Sequence, residues 1–259
     1  MNASQEAKFP LHEAAREGKT QIAESLLSAN PKLANVKDDD ERLPIHWAVA
    51  YNRLPIVELL ISSKHFDPDV EVCHYLNNKR RTTPELSLTC PQDGSGWTPL
   101  MIASSLKNAE GDPIIDLLLK KGADVSTKSV SGQNALHFAT SKANLSTVRT
   151  LIANKCSARV KDKRGQLPLH RAAAIGSSPI IKVLLEDGKS PVNATDVDGL
   201  TALHHAVSEG HGDAAITLLK AGAEADKRDS NGVLAIDMAP DSKVRSYILQ
   251  TAEREGIEL

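Results

Sequence analysis

Apolar positions along this chain cluster in two alternating kinds of short segment. One kind is small and Ala-rich, as in Ala172-Ala173-Ala174. The other is Leu/Ile-rich, as in Ile56-Val57-Glu58-Leu59-Leu60 and Ile114-Ile115-Asp116-Leu117-Leu118-Leu119. Each kind reads as a helix, the first short and closely packed, the second amphipathic. The alternation is periodic. Seven segments align, beginning at Phe9, Leu43, Thr98, Asn134, Leu167, Thr201 and Leu234, with the pattern seen in LPIHWAVAYN, LPLHRAAAIG and TALHHAVSEG. Their second positions fall at 10, 44, 99, 135, 168, 202 and 235, so one period of about 33 residues accounts for every step but one. The long step contains an insertion, residues 66–92, with the sequence FDPDVEVCHYLNNKRRTTPELSLTCPQ. It has no helical period and reads as a loop.

The punctuation between segments is equally regular. Gly stands three positions before the Pro/Ala in five of the six internal units, at Gly96, Gly132, Gly165, Gly199 and Gly232. Gly after Asp or Asn marks a tight turn that needs φ > 0. Pro then suits the first helical position, where its missing N–H would be unpaired anyway. Thr98, Asn134 and Thr201 stand ready as N-caps. Gly-Ala runs at Gly122-Ala123 and Gly222-Ala223 close the second helices. Turn, helix, loop, helix at this period resembles the ankyrin repeat from about residue 8 to 250. The resemblance implies an all-α, ankyrin-repeat solenoid of seven helix-loop-helix repeats with β-hairpin tips, in one domain over 1–259. The last unit replaces the recurrent His with Asp237 and ends in a polar helix near Val244 to Glu255, as a cap would.

Composition then excludes several classes. Lys+Arg 31 against Asp+Glu 33 gives a net charge of −2, too balanced for a nucleic-acid or membrane-surface binder. No apolar run approaches the roughly 20 residues of a membrane span, and the polar start from Met1 to Pro10 has no secretory h-region. Cys73, Cys90 and Cys156 are too few and too scattered for a disulfide scaffold and fit a reducing compartment.

Nine histidines invite a metal or catalytic reading. Five of them, His12, His46, His137, His170 and His204, occupy one repeat phase, two residues after the Pro/Ala. That phase assigns each ring to tying its helix start to neighbouring backbone. Stacked repeats also space such rings apart rather than converging them on a metal. There is no CxxC pair, no nucleophile elbow and no phosphate-cradling loop. Cys73-His74 has no orienting carboxylate. The expectation is no catalytic residue, no metal and no cofactor, and the chain does not read as an enzyme.

A surface remains. In an ankyrin stack, turn tips and first helices line the concave side. Positions three and seven after the Pro/Ala share one helix face: Glu13/Glu17, Trp47/Tyr51, Ile102/Leu106, Phe138/Lys142, Arg171/Ile175, His205/Glu209 and Met238/Ser242. The column runs from acidic through aromatic to basic. The tips agree, with Asp38-Asp39-Asp40-Glu41 before the second helix pair and Lys155, Arg159, Lys161, Lys163 and Arg164 before the fifth. Trp47, Tyr51 and Phe138 are the hot-spot candidates, with Trp97, Arg171, Glu13 and Glu17 beside them. The fitting partner is a folded surface with one basic and one acidic end.

KDDDERLPIHWAVA from Lys37, GWTPL from Gly96, KDKRGQLPLHRAAAIGS from Lys161 and EGHGDAA from Glu209 resemble the gankyrin type of ankyrin protein, in its fungal form. That resemblance implies a chaperone for assembly of the proteasome regulatory particle, cytoplasmic and nuclear and monomeric on its own. It would hold the C-terminal helical domain of one base ATPase subunit in its concave face and delay docking on the core particle. It implies contact roles for Asp40, Arg42 and Lys142. A further acidic position on the third tip falls on Gly94, with Asp93 retained beside it. Two rivals are a regulatory ankyrin module inhibiting a kinase or transcription factor and, from another class, a metal protein using the His array.

Overall fold

The computed structural model describes residues 8–63, 66–71 and 96–258. Most of the insertion, including Cys73, Cys90 and the Lys79-Arg80-Arg81 triplet, lies outside them, as does Asp93. The chain divides into two compact units, Met1–Ser131 and Gly132–Leu259.

The first unit holds three helix pairs: α1 (Pro10–Glu17) with α2 (Thr20–Ala29), α3 (Pro44–Ala50) with α4 (Leu54–Ile61), and α5 (Pro99–Ser104) with α6 (Asp112–Lys120). First helices pack on first helices, α1 on α3 and α3 on α5. Second helices pack likewise, α2 on α4 and α4 on α6. The second unit repeats this with α7 (Ala135–Ser141) and α8 (Leu145–Ala153), α9 (Pro168–Ala174) and α10 (Ser178–Glu186), and α11 (Ala202–Ser208) and α12 (Gly212–Lys220). α13 (Ser242–Arg254) packs against α12 and closes the stack.

Small side chains allow the close stacking. Ala14, Ala15, Ala48, Ala103, Ala139, Ala172, Ala173 and Ala206 are all buried on the first helices, while Ile56, Val57, Leu60, Ile114, Ile115, Leu118, Ile180, Ile181 and Leu184 fill the space behind them. Where two backbones nearly touch, even a methyl has no room: a Cβ on Gly111, before α6, would lie 2.2 Å from the Ala103 carbonyl oxygen of α5.

The recurrent histidines do what their phase predicts. In α3, α7, α9 and α11 the ring Nδ1 accepts the N–H at the helix start, from Leu43, Asn134, Leu167 and Thr201 at 3.0–3.2 Å. The opposite Nε2–H donates to a carbonyl of the following turn region: Val70 for His46, Gln166 for His137, Ala194 for His170 and Val233 for His204. His12 donates in the same way to Arg42 O at 2.9 Å. One neutral imidazole thus caps its own helix and pins the next repeat. Burial pushes His46 and His170 from the ordinary 6.5 down to about 4.

Two expectations are corrected. The tips are turns, closed by main-chain bonds such as Asp162 N–H to Gln166 O and Gly165 N–H to Asp162 O, both 2.9 Å. Among the described residues they carry only isolated bridges, Thr195 with Thr201 and Arg228 with Leu234, and no strand. The seventh unit does not form a full first helix: Ala235–Met238 is a 3₁₀ turn. Asp237 has no ring to reach back to the N-cap. Pro240 follows at once, disfavours helical backbone at Ala239 and supplies no N–H.

Two predictions follow from this packing. Gly111→Ala forces α5 and α6 apart and should lower stability by about 1–3 kcal/mol, read as a fall in urea midpoint. The second concerns pH. The folded-state pKa of His46 lies below its unfolded value, so its contribution is complete above pH 6.5 and is lost as pH falls from 6.5 toward 4. Trp47 and Trp97, the two tryptophans of the chain, both lie in the first unit, so indole emission reports that unit's unfolding. Its stability should drop by about 2 kcal/mol between pH 7 and pH 5 on account of this ring, and His46→Gln should flatten the dependence.

Candidate functional site

The turn before α3 carries the densest set of candidate residues. Asp38 N–H donates to Arg42 O at 2.9 Å, and Glu41 N–H donates to Asp38 O at 3.0 Å. These leave the amides of Asp40 and Arg42, and both donate to Asp38 Oδ1, at 2.9 and 2.8 Å. The other units place Gly three positions before the helical Pro/Ala, where the turn demands positive φ. This one has Glu41, at φ 59°. The left-handed backbone is therefore strained at the tip and held by bonds on both sides.

The second carboxylate oxygen reaches further. Asp38 Oδ2 accepts the Trp47 indole N–H at 2.7 Å. The Arg42 guanidinium lies over the same indole, 4.9 Å from its centroid, and the Tyr51 ring stacks with it at 6.0 Å and 27° between planes. Trp47 is half-buried, while Tyr51 keeps 47% of its surface exposed. Trp47 borders two hollows. One, of about 360 Å³, has Arg42, Trp97, Ile102 and Leu106 in its walls. The other, about 320 Å³, has Phe9, Glu13, Arg16 and Asp38. An aromatic ridge flanked by two hollows suits the side chains of a folded partner.

The acidic character of this end is tempered. Glu17 pairs with Lys19 at 2.6 Å, Asp39 with Lys8 at 2.5 Å and Glu41 with Lys37 at 3.1 Å. All three are exposed ion pairs and weak. Asp40 is exposed at the tip.

In the second unit the placements differ from the expected column. Phe138 is buried in the packing, 8% exposed, so its ring is not offered to a partner. Lys142 is exposed at the end of α7. Arg171 is half-buried and donates to Asp162 Oδ2 at 3.1 Å, so its charge is met within the chain. His205 contacts Asp196 Oδ2 at 2.9 Å in the same way. Burial would raise the Asp196 carboxyl, but the His205 contact and the bonds from Leu200 N–H, Gln166 and Asp198 N–H outweigh it and hold the group below its ordinary range. The basic residues Lys155, Arg159, Lys161, Lys163 and Arg164 are all exposed, and Lys161 Nζ donates to Thr195 O at 2.7 Å.

Sequence reasoning missed the aspartates. Asp38, Asp162, Asp196 and Asp229 each accept two turn amides on one oxygen. In the first three, the other oxygen holds the side chain nine residues on: an indole, a guanidinium and an imidazole. The signal was present, as an Asp six positions before the helical Pro/Ala. Asp93 shares that phase but lies outside the described residues.

The strain at Glu41 is testable. Glu41→Gly removes about 1–2 kcal/mol of left-handed cost against a partly offsetting gain in unfolded-chain freedom. It should stabilise the first unit by about 0.5–1 kcal/mol in urea denaturation followed by indole emission. A net loss would show that the Lys37 contact outweighs the strain.

Comparison with known proteins agrees with this architecture. The family described as Ankyrin repeats (3 copies) matches residues 1–72, 69–162 and 136–229. The chain is 37% identical over 245 residues to the Saccharomyces cerevisiae protein named probable 26S proteasome regulatory subunit p28, covering 94% of this chain and 98% of that one. It is 31% identical to the Schizosaccharomyces pombe ankyrin repeat-containing protein C6C3.08, covering 92% and 93%. Among solved structures, the human ASB11 ankyrin repeat domain superposes with a TM-score of 0.74 at 22% identity, covering 93% of this chain and 96% of that one, and shows the shared fold. With the His-pinned helix pairs in place and near full-length identity to p28, the chain belongs to the ankyrin-repeat family and, within it, to the gankyrin type.

Proposed function

We propose that this protein is a non-catalytic binding protein of the proteasome regulatory particle. In this reading it acts as an assembly chaperone in cytoplasm and nucleus. It holds the C-terminal domain of one base ATPase subunit and so delays docking on the core particle by steric occlusion. The observation that carries the proposal is the 37% identity to p28 across 98% of that protein's length. The gankyrin resemblance assigns partner contacts to Asp40, Arg42 and Lys142, and these supply both signs of charge. Asp40 and Lys142 are exposed, and Arg42 is half-buried above Trp47. The first unit supplies the aromatic ridge and its hollows, and the second supplies Lys142 and the exposed basic cluster. No step requires a cofactor. The work is done by complementary surface, with charges setting orientation and association rate.

A pull-down from cell lysate should recover base ATPases without mature core particle. Recovery of neither overturns the proposal, and recovery of a kinase or transcription factor instead favours a regulatory module. With purified ATPase C-terminal domain, reversing Arg42→Glu or Lys142→Glu should each weaken binding by on the order of tenfold, since like charges then face each other. Affinity unchanged in both variants would remove the charge-polarity part of the reading.

A further inference from the structure

We infer that Asp38 is a positioning residue for the recognition face of the first unit, joining the tip and the aromatic ridge into one rigid element. The two oxygens of its carboxylate divide the task. Oδ1 fixes the amides of Asp40 and Arg42, and so the direction in which both side chains leave the strained tip. Oδ2 fixes the indole of Trp47, nine residues away on α3. Arg42 closes the loop by lying over that indole. A half-buried carboxylate with three N–H donors in these directions has no slack: rotation that frees the indole also frees the tip. Trp47 would otherwise choose among its rotamers, and each ordered side chain lost to such freedom weakens association. The same geometry holds Arg171 through Asp162 and His205 through Asp196. At Asp38 the clamped donor also stands between two hollows with a cation stacked on it.

The inference rests on the proposed function for what the face binds, while the clamp itself can be read without a partner. Asp38→Asn is the diagnostic change, because an amide has one acceptor oxygen and cannot serve both the turn and the indole. Trp47→Phe keeps an aromatic ring and removes the N–H. In ¹⁵N-labelled protein the chain gives two indole N–H signals, and Trp47→Phe identifies which belongs to Trp47. Asp38→Asn should move that signal upfield and speed its exchange at least about tenfold, while Asp162→Asn leaves it in place. Asp38→Asn should also weaken binding of the base ATPase C-terminal domain about three- to tenfold. In the Trp47→Phe background its effect should shrink to within about twofold. Unchanged indole exchange in Asp38→Asn overturns the inference. So does unchanged affinity, or an equal loss in both backgrounds, which would mean that Asp38 acts through the turn alone. Should wild-type protein bind no ATPase domain, the proposed function fails, and the positioning inference is decided by the indole exchange.

Discussion

A tight turn between helices leaves backbone amides that neither neighbouring helix can satisfy, and in this protein one aspartate oxygen takes two of them. That constraint organises much else. Once Oδ1 is committed to the turn, Oδ2 points toward the first helix that follows, and a donor nine residues along meets it. The imidazole two residues after the helical Pro/Ala performs the complementary task, capping its own helix with Nδ1 and pinning the next repeat with Nε2–H. Together these two side chains help to convert a chain of weakly nucleating helices of six to ten residues into stacked pairs. Helices that short would not persist alone, so the stack depends on burying Ala and Leu between neighbours, with the polar side chains at fixed phase setting where each helix starts and what it packs on.

The same devices explain why the surface is selective about which residues it offers. A side chain at the third position after the Pro/Ala points toward the turn aspartate. If it is a donor, the aspartate captures it, as with Trp47, Arg171 and His205. If it is apolar, as with Phe138, it sinks into the packing. The residues left for a partner are then the tips, the residues just past the first helices such as Tyr51 and Lys142, and the faces of captured rings. Arg171 shows the consequence most clearly: its charge looks available in sequence and is largely met by Asp162 in the fold.

Much of the architecture was legible because it repeats. Five histidines in one phase, five turn glycines and the Pro at the helix start each announce a backbone requirement, and a requirement imposed several times is hard to misread. What was not legible lay in single departures. Nothing in the residue pattern distinguishes a Phe on a face from a Phe beneath it when both fit the 3.6-residue period. Glu41 is the one internal turn position without Gly, and sequence alone does not say that the backbone stays left-handed there rather than changing turn type. The loss of the seventh first helix needed Asp237 and Pro240 taken together. The aspartates went unnoticed because Asp in a turn is ordinary; what matters is that its second oxygen reaches another element, which spacing of nine residues does not suggest by itself.

Rigidity at the tip and selectivity of the face are linked by strain. Glu41 holds a left-handed conformation that Gly would adopt freely, at the turn bearing Asp40 and Arg42. A glycine there would ease the backbone but would remove the carboxylate that meets Lys37 and allow the tip more conformations. Retaining a side chain at that cost is consistent with a tip whose direction matters. The bonds that hold it are those of Asp38, whose other oxygen holds Trp47. Strain in the turn, the stacked cation and the clamped indole are therefore one mechanical unit, in which a change at any member is felt by the others. In the proposed role charge and shape act in sequence: the charge of exposed Asp40 orients an approaching partner at a distance, and fit to the hollows beside Trp47, which a rigid ridge presents in one shape, then decides whether the complex persists.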